Sequence, residues 1–220
     1  MQANSTARAK RGSYASPRQE ERQRRILATA RREITELGYA ALTMQQLAQA
    51  SSVSTKTLYN LYGSKDELLL AAVADLLGNL EQHSQVLSAA EGIPSLLAFT
   101  EVVSDQVVAT PQYAEVMAQA LFQTDSQHRL VDLLLGNTRK VAREALDHAA
   151  QAGELQDGVD PDSTAQLLAG HQWGLILMWN KGQIALRDLK RQAMRSQLLC
   201  LIPLCAGALQ AQLQARLKLV

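Results

Sequence analysis

Aromatic residues are scarce. Two Trp, five Tyr and two Phe make up 4% of the 220 residues, which argues against a β-sandwich or barrel. Cysteine is nearly absent: Cys200 and Cys205 have neither CxxC spacing nor a nearby His, so neither a zinc centre nor a disulfide framework is expected. On an apolar helix they read as small core residues, and a reducing cytoplasm fits. No run approaches 18 consecutive apolar residues, so no transmembrane helix and no membrane partner are expected. The charged N-terminus has no apolar stretch behind it and does not read as a secretory signal. His83, His128, His148 and His171 show neither HxxxH nor HExxH spacing, and GxSxG, phosphate-loop and GxGxxG motifs are all missing. The chain therefore offers no catalytic residue, no metal ligand set and no cofactor motif, and is not expected to be an enzyme.

What is plentiful is helix former. Leu (36) and Ala (33) supply nearly a third of the chain, and both favour helices. The expected fold is all-α. The net charge of +1 is unevenly spread: residues 1–70 hold 11 Lys/Arg against 6 Asp/Glu, and residues 71–220 hold 11 against 15. A basic first third on a mildly acidic remainder points to a partner that carries phosphates.

Residues 1–19 read as a disordered basic arm. From there a helical period places Ile26, Leu27, Ala30, Ile34 and Leu37 on one face, and Gly38 follows as a stop. Thr43-Met44-Gln45-Gln46 reads as a capping box, Ser54 as a second N-cap, and Ser64-Lys65-Asp66-Glu67 as another box. The helix opened at Ser64 extends to about Ala89. Further on, helices are broken at Thr110-Pro111, near Thr124-Asp125, and across Gly153–Asp160. Asp160-Pro161 is a strong start, Gly182 a stop, and Pro203 must kink or end the last helical region, which begins near Arg187. No strand period is found.

Two short helices joined by a tight turn, after one longer helix, form a helix-turn-helix over 43–62. Leu47, Val53 and Leu58 can pack the pair together. Ser54, Thr55, Lys56, Thr57, Tyr59 and Asn60 then give the second helix a polar side suited to a DNA major groove. An ordinary helical hairpin with a solvated face is the bland alternative.

The blocks Gly38-Tyr39, Thr43-x-x-x-Leu47-Ala48, Val53-Ser54-x-x-Thr57-Leu58-Tyr59 and Ser64-Lys65-Asp66-Glu67-Leu68-Leu69, in this register, resemble the DNA-binding domain of the TetR family of bacterial transcriptional regulators. The resemblance covers about 50 residues. It implies an N-terminal three-helix DNA-binding domain, here residues 20–80, and a larger helical domain, residues 81–220, for ligand binding and dimerisation. It also implies that Ser54–Tyr62 is the recognition helix. Gln45, Thr55, Lys56 and Tyr59 fall where the family reads bases or sugars, and Thr43, Thr57 and Lys65 where it grips phosphates. The chain departs from the family pattern at Ser52, where Gly is usual, at Leu61, where a polar phosphate contact is common, and at Lys56, where a small residue is common. The stretch Arg8–Arg25 is a candidate arm for the minor groove, or a solvated tail.

In the second domain, Leu167, Gly170, Gly174, Leu177 and Met178 lie along one side of a helix, and Leu198, Leu199, Leu201, Ile202 and Leu204 are nearly continuous. The resemblance implies that the last two helices of each subunit form a four-helix dimer interface. Gly170, Gly174, Leu177, Leu198, Leu201 and Ile202 are the candidates for it. Phe99, Tyr113, Met117, Phe122, His171 and Trp173 are candidates for an effector pocket, with His128, His171 or Asn180 as polar anchors; each could equally be plain core. Residues 71–220 carry no basic cluster, so a small, mostly apolar ligand is expected. The expected partners are a palindromic double-stranded operator, a second copy of the chain and an unidentified small molecule. The competing expectation is a structural DNA-binding protein with no effector.

Overall fold

Side-chain caps and left-handed glycines set the helix ends. In the computed structural model, which describes residues 17–87, 91–121 and 128–220, helix α1 (Pro17–Leu37) ends where Gly38 takes φ +76°. Helix α2 (Met44–Ala50) starts at Thr43, whose hydroxyl accepts from Gln46 N while the Gln46 carboxamide accepts from Thr43 N; the capping box is complete. Helix α3 (Thr55–Tyr62) starts at Ser54, which accepts from Thr57 N. Ser64 caps α4 (Lys65–Leu87) by accepting from Glu67 N. The Glu67 carboxylate, expected to accept from Ser64 N, pairs with Arg129 instead.

The second half continues with α5 (Ile93–Ala109), α6 (Pro111–Leu121), α7 (His128–Gln151) and α8 (Pro161–Asn180). Asp160 caps α8 by accepting from Asp162 N and Ser163 N. The last expected helix is three pieces: α9 (Leu186–Leu201), a 3-10 turn (Ile202–Leu204) that holds Pro203, and α10 (Gly207–Leu217). The fold is all-α. Among the described residues, strand-like pairing is confined to one antiparallel bridge, Leu155 with Cys205. No described helix is long and apolar enough to cross a membrane.

Two apolar clusters form the interior. The first joins α1, α2, α3 and the first half of α4, and is completed by Tyr113 and Met117 of α6 and Leu130 and Leu134 of α7. The second joins α5, the later part of α7, and α8 to α10. Trp173 packs against both. The expected division at residue 80 therefore falls inside one continuous helix. At 1.5 Å per residue, the 23 residues of α4 run about 34 Å, from beside α3 into the second cluster. The N-terminal boundary also moves: α1 begins at Pro17, so Arg18, Arg22, Arg24 and Arg25 stand on a helix rather than on an arm. Residues 1–16, including the rest of the expected arm, lie outside the described residues.

Candidate nucleic-acid interface

The helix-turn-helix is held from inside by Leu47, Ala48 and Leu58, all buried. Its turn requires a left-handed residue, and Ser52 supplies it at φ 55°, a conformation that costs a residue with a Cβ about 1–2 kcal/mol. With Leu58 facing in, Lys56 and Asn60 stand one turn apart on the opposite side of α3 and are exposed. Tyr59 is 50% exposed, an unusual place for an aromatic. Thr43, Gln45 and Ser54 are also exposed, and Thr55 and Thr57 half-buried. The hydroxyls of Ser54 and Thr57 lie 2.8 Å apart at the start of α3. The sequence-predicted DNA contacts are thus gathered on α2, α3 and their N-termini, where free N–H groups and the helix dipole favour an anion.

Lys65 is more committed than expected. Its Nζ donates to the carbonyls of Tyr39 and Leu42, both at 3.0 Å, and sits 4.4 Å from the centre of the Tyr39 ring. Tyr39 in turn donates to Asp66. Two of the three ammonium protons therefore fix the α1–α2 connection, and only the third is left for a phosphate. Leu61, where a polar contact was expected to be missing, is half-buried.

The same unit is bolted to α4 behind it. Arg31 of α1 donates to the Asp75 carboxylate at 2.7 Å and to the Ala72 carbonyl at 3.0 Å; Asn79 also donates to Asp75. Tyr62, the last residue of α3, has a hydroxyl that is buried without a partner. Burial first, and then the Asp75 carboxylate, push its phenol above the ordinary range.

Four of the six expected pocket residues come together. Phe99, Tyr113, Met117 and Trp173 join Leu77, Val103, Leu134 and Thr138 around an apolar cavity of about 60 Å³ between α4, α5, α6, α7 and α8. Trp173 Nε1 donates to Thr138 Oγ1 at 3.2 Å, and so has a fixed orientation. Tyr113 is 5% exposed and its hydroxyl lacks a partner; burial pushes this phenol well above its usual range, so it stays protonated. Phe122 lies outside the described residues, as does the side chain of His128. His171 is corrected: it does not line the cavity. It stands on the side of α8 that meets α9, where burial pulls its pKa down and Gln197 beside it is the opposing influence. Its Nδ1 and the Gln197 Oε1 are buried without a partner of normal hydrogen-bond geometry. Asn180 does not reach the cavity either. A wider groove of about 520 Å³ between α4, α5 and α7 is lined by Glu81, Glu91, Glu144 and His148. None of the predicted pocket residues belongs to it.

The expected dimer residues divide. Leu198 and Leu201 are fully buried within this chain's own second cluster and are no part of an exposed interface. Periodicity finds an apolar face but does not say whether it turns inward or outward. Gly170 is exposed, and Gly174, Leu177 and Ile202 are half-buried. Alongside them stand Leu167, 74% exposed, with Met178 and Leu199. A Cβ built at Gly170 or Gly174 meets nothing within 4 Å, so nothing inside this chain requires a small residue there. Of the two cysteines, Cys205 is buried, which pushes its thiol up to about 11, and Cys200 is half-buried.

Comparison with known proteins agrees with the sequence blocks. The family described as "Bacterial regulatory proteins, tetR family" matches residues 26–72. The chain is 34% identical over 64 residues to the HTH-type transcriptional regulator HbdR of Aromatoleum sp. (strain CIB), covering 29% of this chain and 28% of that one. It is 33% identical over 98 residues to the uncharacterized HTH-type regulator YvaF of Bacillus subtilis, covering 44% and 49%. The matched segment thus spans half or less of these relatives. In structure, the chain resembles the transcriptional regulator FadR of Bacillus subtilis, solved with stearoyl-CoA. There the TM-score is 0.65 at 18% identity, over 79% of this chain and 96% of that one, a likeness of fold.

Proposed function

We propose that the chain, whose residues 26–72 match the tetR family of bacterial regulatory proteins, is a homodimeric repressor of that family, released by a small ligand from a palindromic operator. The observation that carries this reading is the joint use of α4 and α7. The first half of α4 is held to the helix-turn-helix unit through Lys65 at its start and Asp75 near its middle, and Leu76, Leu77 and Leu80 beyond them line the apolar cavity. Similarly, α7 lines the cavity with Leu134 and Thr138, and one of its first residues, Arg129, grips Glu67 in the opening turn of α4. A ligand that widens the cavity by moving either of these helices shifts an element that ends on the DNA-binding unit. Solution of the FadR neighbour with stearoyl-CoA supports a ligand-bearing body of this shape.

Lys56, Tyr59, Thr55 and Gln45 read the groove; Thr43, Ser54, Thr57, Asn60 and the remaining proton of Lys65 hold the backbone. The second copy packs on the outward stripe of Leu167, Gly170, Gly174 and Met178 on α8, with Leu199 of α9. The two glycines allow the close approach that no contact within the chain explains. Two recognition helices must then meet half-sites about 34–36 Å apart, or a multiple of that, so a small tilt in each subunit breaks both sets of contacts. Selection of DNA from a random pool tests the reading: the protein should enrich one inverted repeat. Enrichment of no sequence, with binding that falls only with salt, points instead to a structural DNA-binding protein without an effector.

A further inference from the structure

The apolar cavity has a second chamber. An outer pocket of about 300 Å³ is lined by Arg31, Arg32, Thr35 and Glu36 of α1 together with Leu76, Gln106, Thr110 and Tyr113. The last four also line the inner cavity, so the two spaces share one wall. That wall is mostly apolar but carries three polar groups: Gln106 Nε2 donates to Thr110 Oγ1 at 2.9 Å, and the buried Tyr113 hydroxyl has no partner among the described residues. Beyond it stand two guanidinium groups. Arg32 is paired with Glu33 and Glu36 on its own helix, and Arg31 with Asp75. A buried, unpartnered hydroxyl costs free energy unless something accepts its proton. A site with apolar walls, one idle donor and, at its rim, guanidinium groups held by carboxylates is complementary to a molecule with an apolar body and one anionic end that takes a carboxylate's place. The expectation of a small, mostly apolar ligand rested on residues 71–220 alone, whereas these cations come from residues 31 and 32.

Building on the ligand-responsive reading above, we propose that the effector is a slender apolar chain ending in a single oxyanion, carboxylate or phosphate. The chain lies between Phe99, Met117 and Trp173, and the anion takes the Tyr113 hydroxyl and Arg31. The inner volume of about 60 Å³ favours a slender chain over a fused-ring body, and the flexible Met117 can give way to it. The anion competes with Asp75 for Arg31. Winning that competition loosens the tie between α1 and α4 and leaves the Asp75 carboxylate facing the idle hydroxyl of Tyr62, at the end of the recognition helix. Ligand charge thereby reaches the DNA-binding face through a named pair rather than through shape alone.

The test uses the full-length protein carrying Trp179→Phe, so that Trp173 alone reports. Decanoate, decyl phosphate, decanol and decyltrimethylammonium are titrated below their micelle concentrations, following Trp173 emission and binding of the selected DNA together. Decanoate or decyl phosphate, or both, should bind at least tenfold tighter than decanol; which of the two does so identifies the oxyanion. Arg31→Gln should abolish that preference and leave decanol unchanged. Asp75→Asn frees Arg31 and should tighten the anion several-fold, an arm that stands even if Arg31→Gln fails to fold. Equal binding of anion and alcohol, preference for the cation, no binding by any probe, or weaker anion binding in Asp75→Asn overturns the proposal. An anion held through Arg31 without DNA release keeps this site but sinks ligand control. DNA release by all probes alike keeps ligand control but sinks this site.

Discussion

The helix-turn-helix unit and the α8–α9 face are both packed helix pairs, yet different kinds of information fix them. In α2 and α3 the determinants are local. Thr43 with Gln46, Ser54 with Thr57 and the turn at Ser52 each act within three or four residues. In α8 and α9 the determinants are a choice of face. Leu198 and Leu199 are neighbours of the same type in the chain, but Leu198 is 0% exposed and Leu199 52%. Only the presence of α5, α8 and α10 on one side of α9 decides between them. A local structure written in caps and turns is legible from one sequence; one written in which side of a helix faces inward is not.

This contrast can be pressed experimentally, beginning with the largest effect. Leu58→Ala and Leu201→Ala each empty a fully buried position and should cost about 2–5 kcal/mol. Because α4 belongs to both clusters, each variant should melt in a single calorimetric transition. Two resolved transitions would show that the regions are independent domains after all.

The outward face comes next. Leu167→Glu combined with Met178→Glu should leave the fold intact and turn dimers into folded monomers in sedimentation. Leu198→Ala should weaken the fold and leave association per folded chain unchanged. Dimers that survive the double charge would move the interface elsewhere.

On the DNA side, Lys56→Ala and Tyr59→Ala should each lower specific affinity by about 1–3 kcal/mol while thermal stability is unchanged. Lys65→Ala should do both kinds of damage: the salt dependence of binding falls by about one unit per site, and the melting temperature drops because the Tyr39 and Leu42 carbonyls lose their donor. A Lys65 variant that melts like the parent would return it to a pure phosphate contact.

The smallest effect is at Ser52. Ser52→Gly relieves the left-handed strain of about 1–2 kcal/mol but adds unfolded-state freedom of about 0.5–1 kcal/mol. A net gain of a few tenths to about 1 kcal/mol should appear as a slightly raised melting temperature.

Much of the cavity was also readable. Phe99, Tyr113, Met117 and Trp173 are rare large side chains on an Ala- and Leu-rich background, and a fold so poor in aromatics gathers them where space must be filled. His171 was misplaced because a polar residue on an apolar helix looks like a pocket anchor whichever side it faces. Arg31 escaped notice for a different reason. Its helix reads as part of the DNA-binding unit, and nothing local announces that its guanidinium crosses to Asp75, 44 residues on. Glu67 shows the same limit on a smaller scale: the Ser64 cap before it was legible, its own pairing with Arg129 was not. Contacts between distant segments have no signature in a single chain unless both partners belong to a known pattern.

The central claim is that the cavity and the recognition helices are coupled, and linkage tests it most directly. The factor by which a cavity ligand weakens operator binding must equal the factor by which the operator weakens that ligand. Both can be measured on one sample, from Trp173 emission and from fluorescence anisotropy of labelled operator. The account predicts equal factors of roughly five or more, within the usual range of coupling between sites. A ligand that saturates the cavity and changes Trp173 emission while both factors stay at one would contradict it.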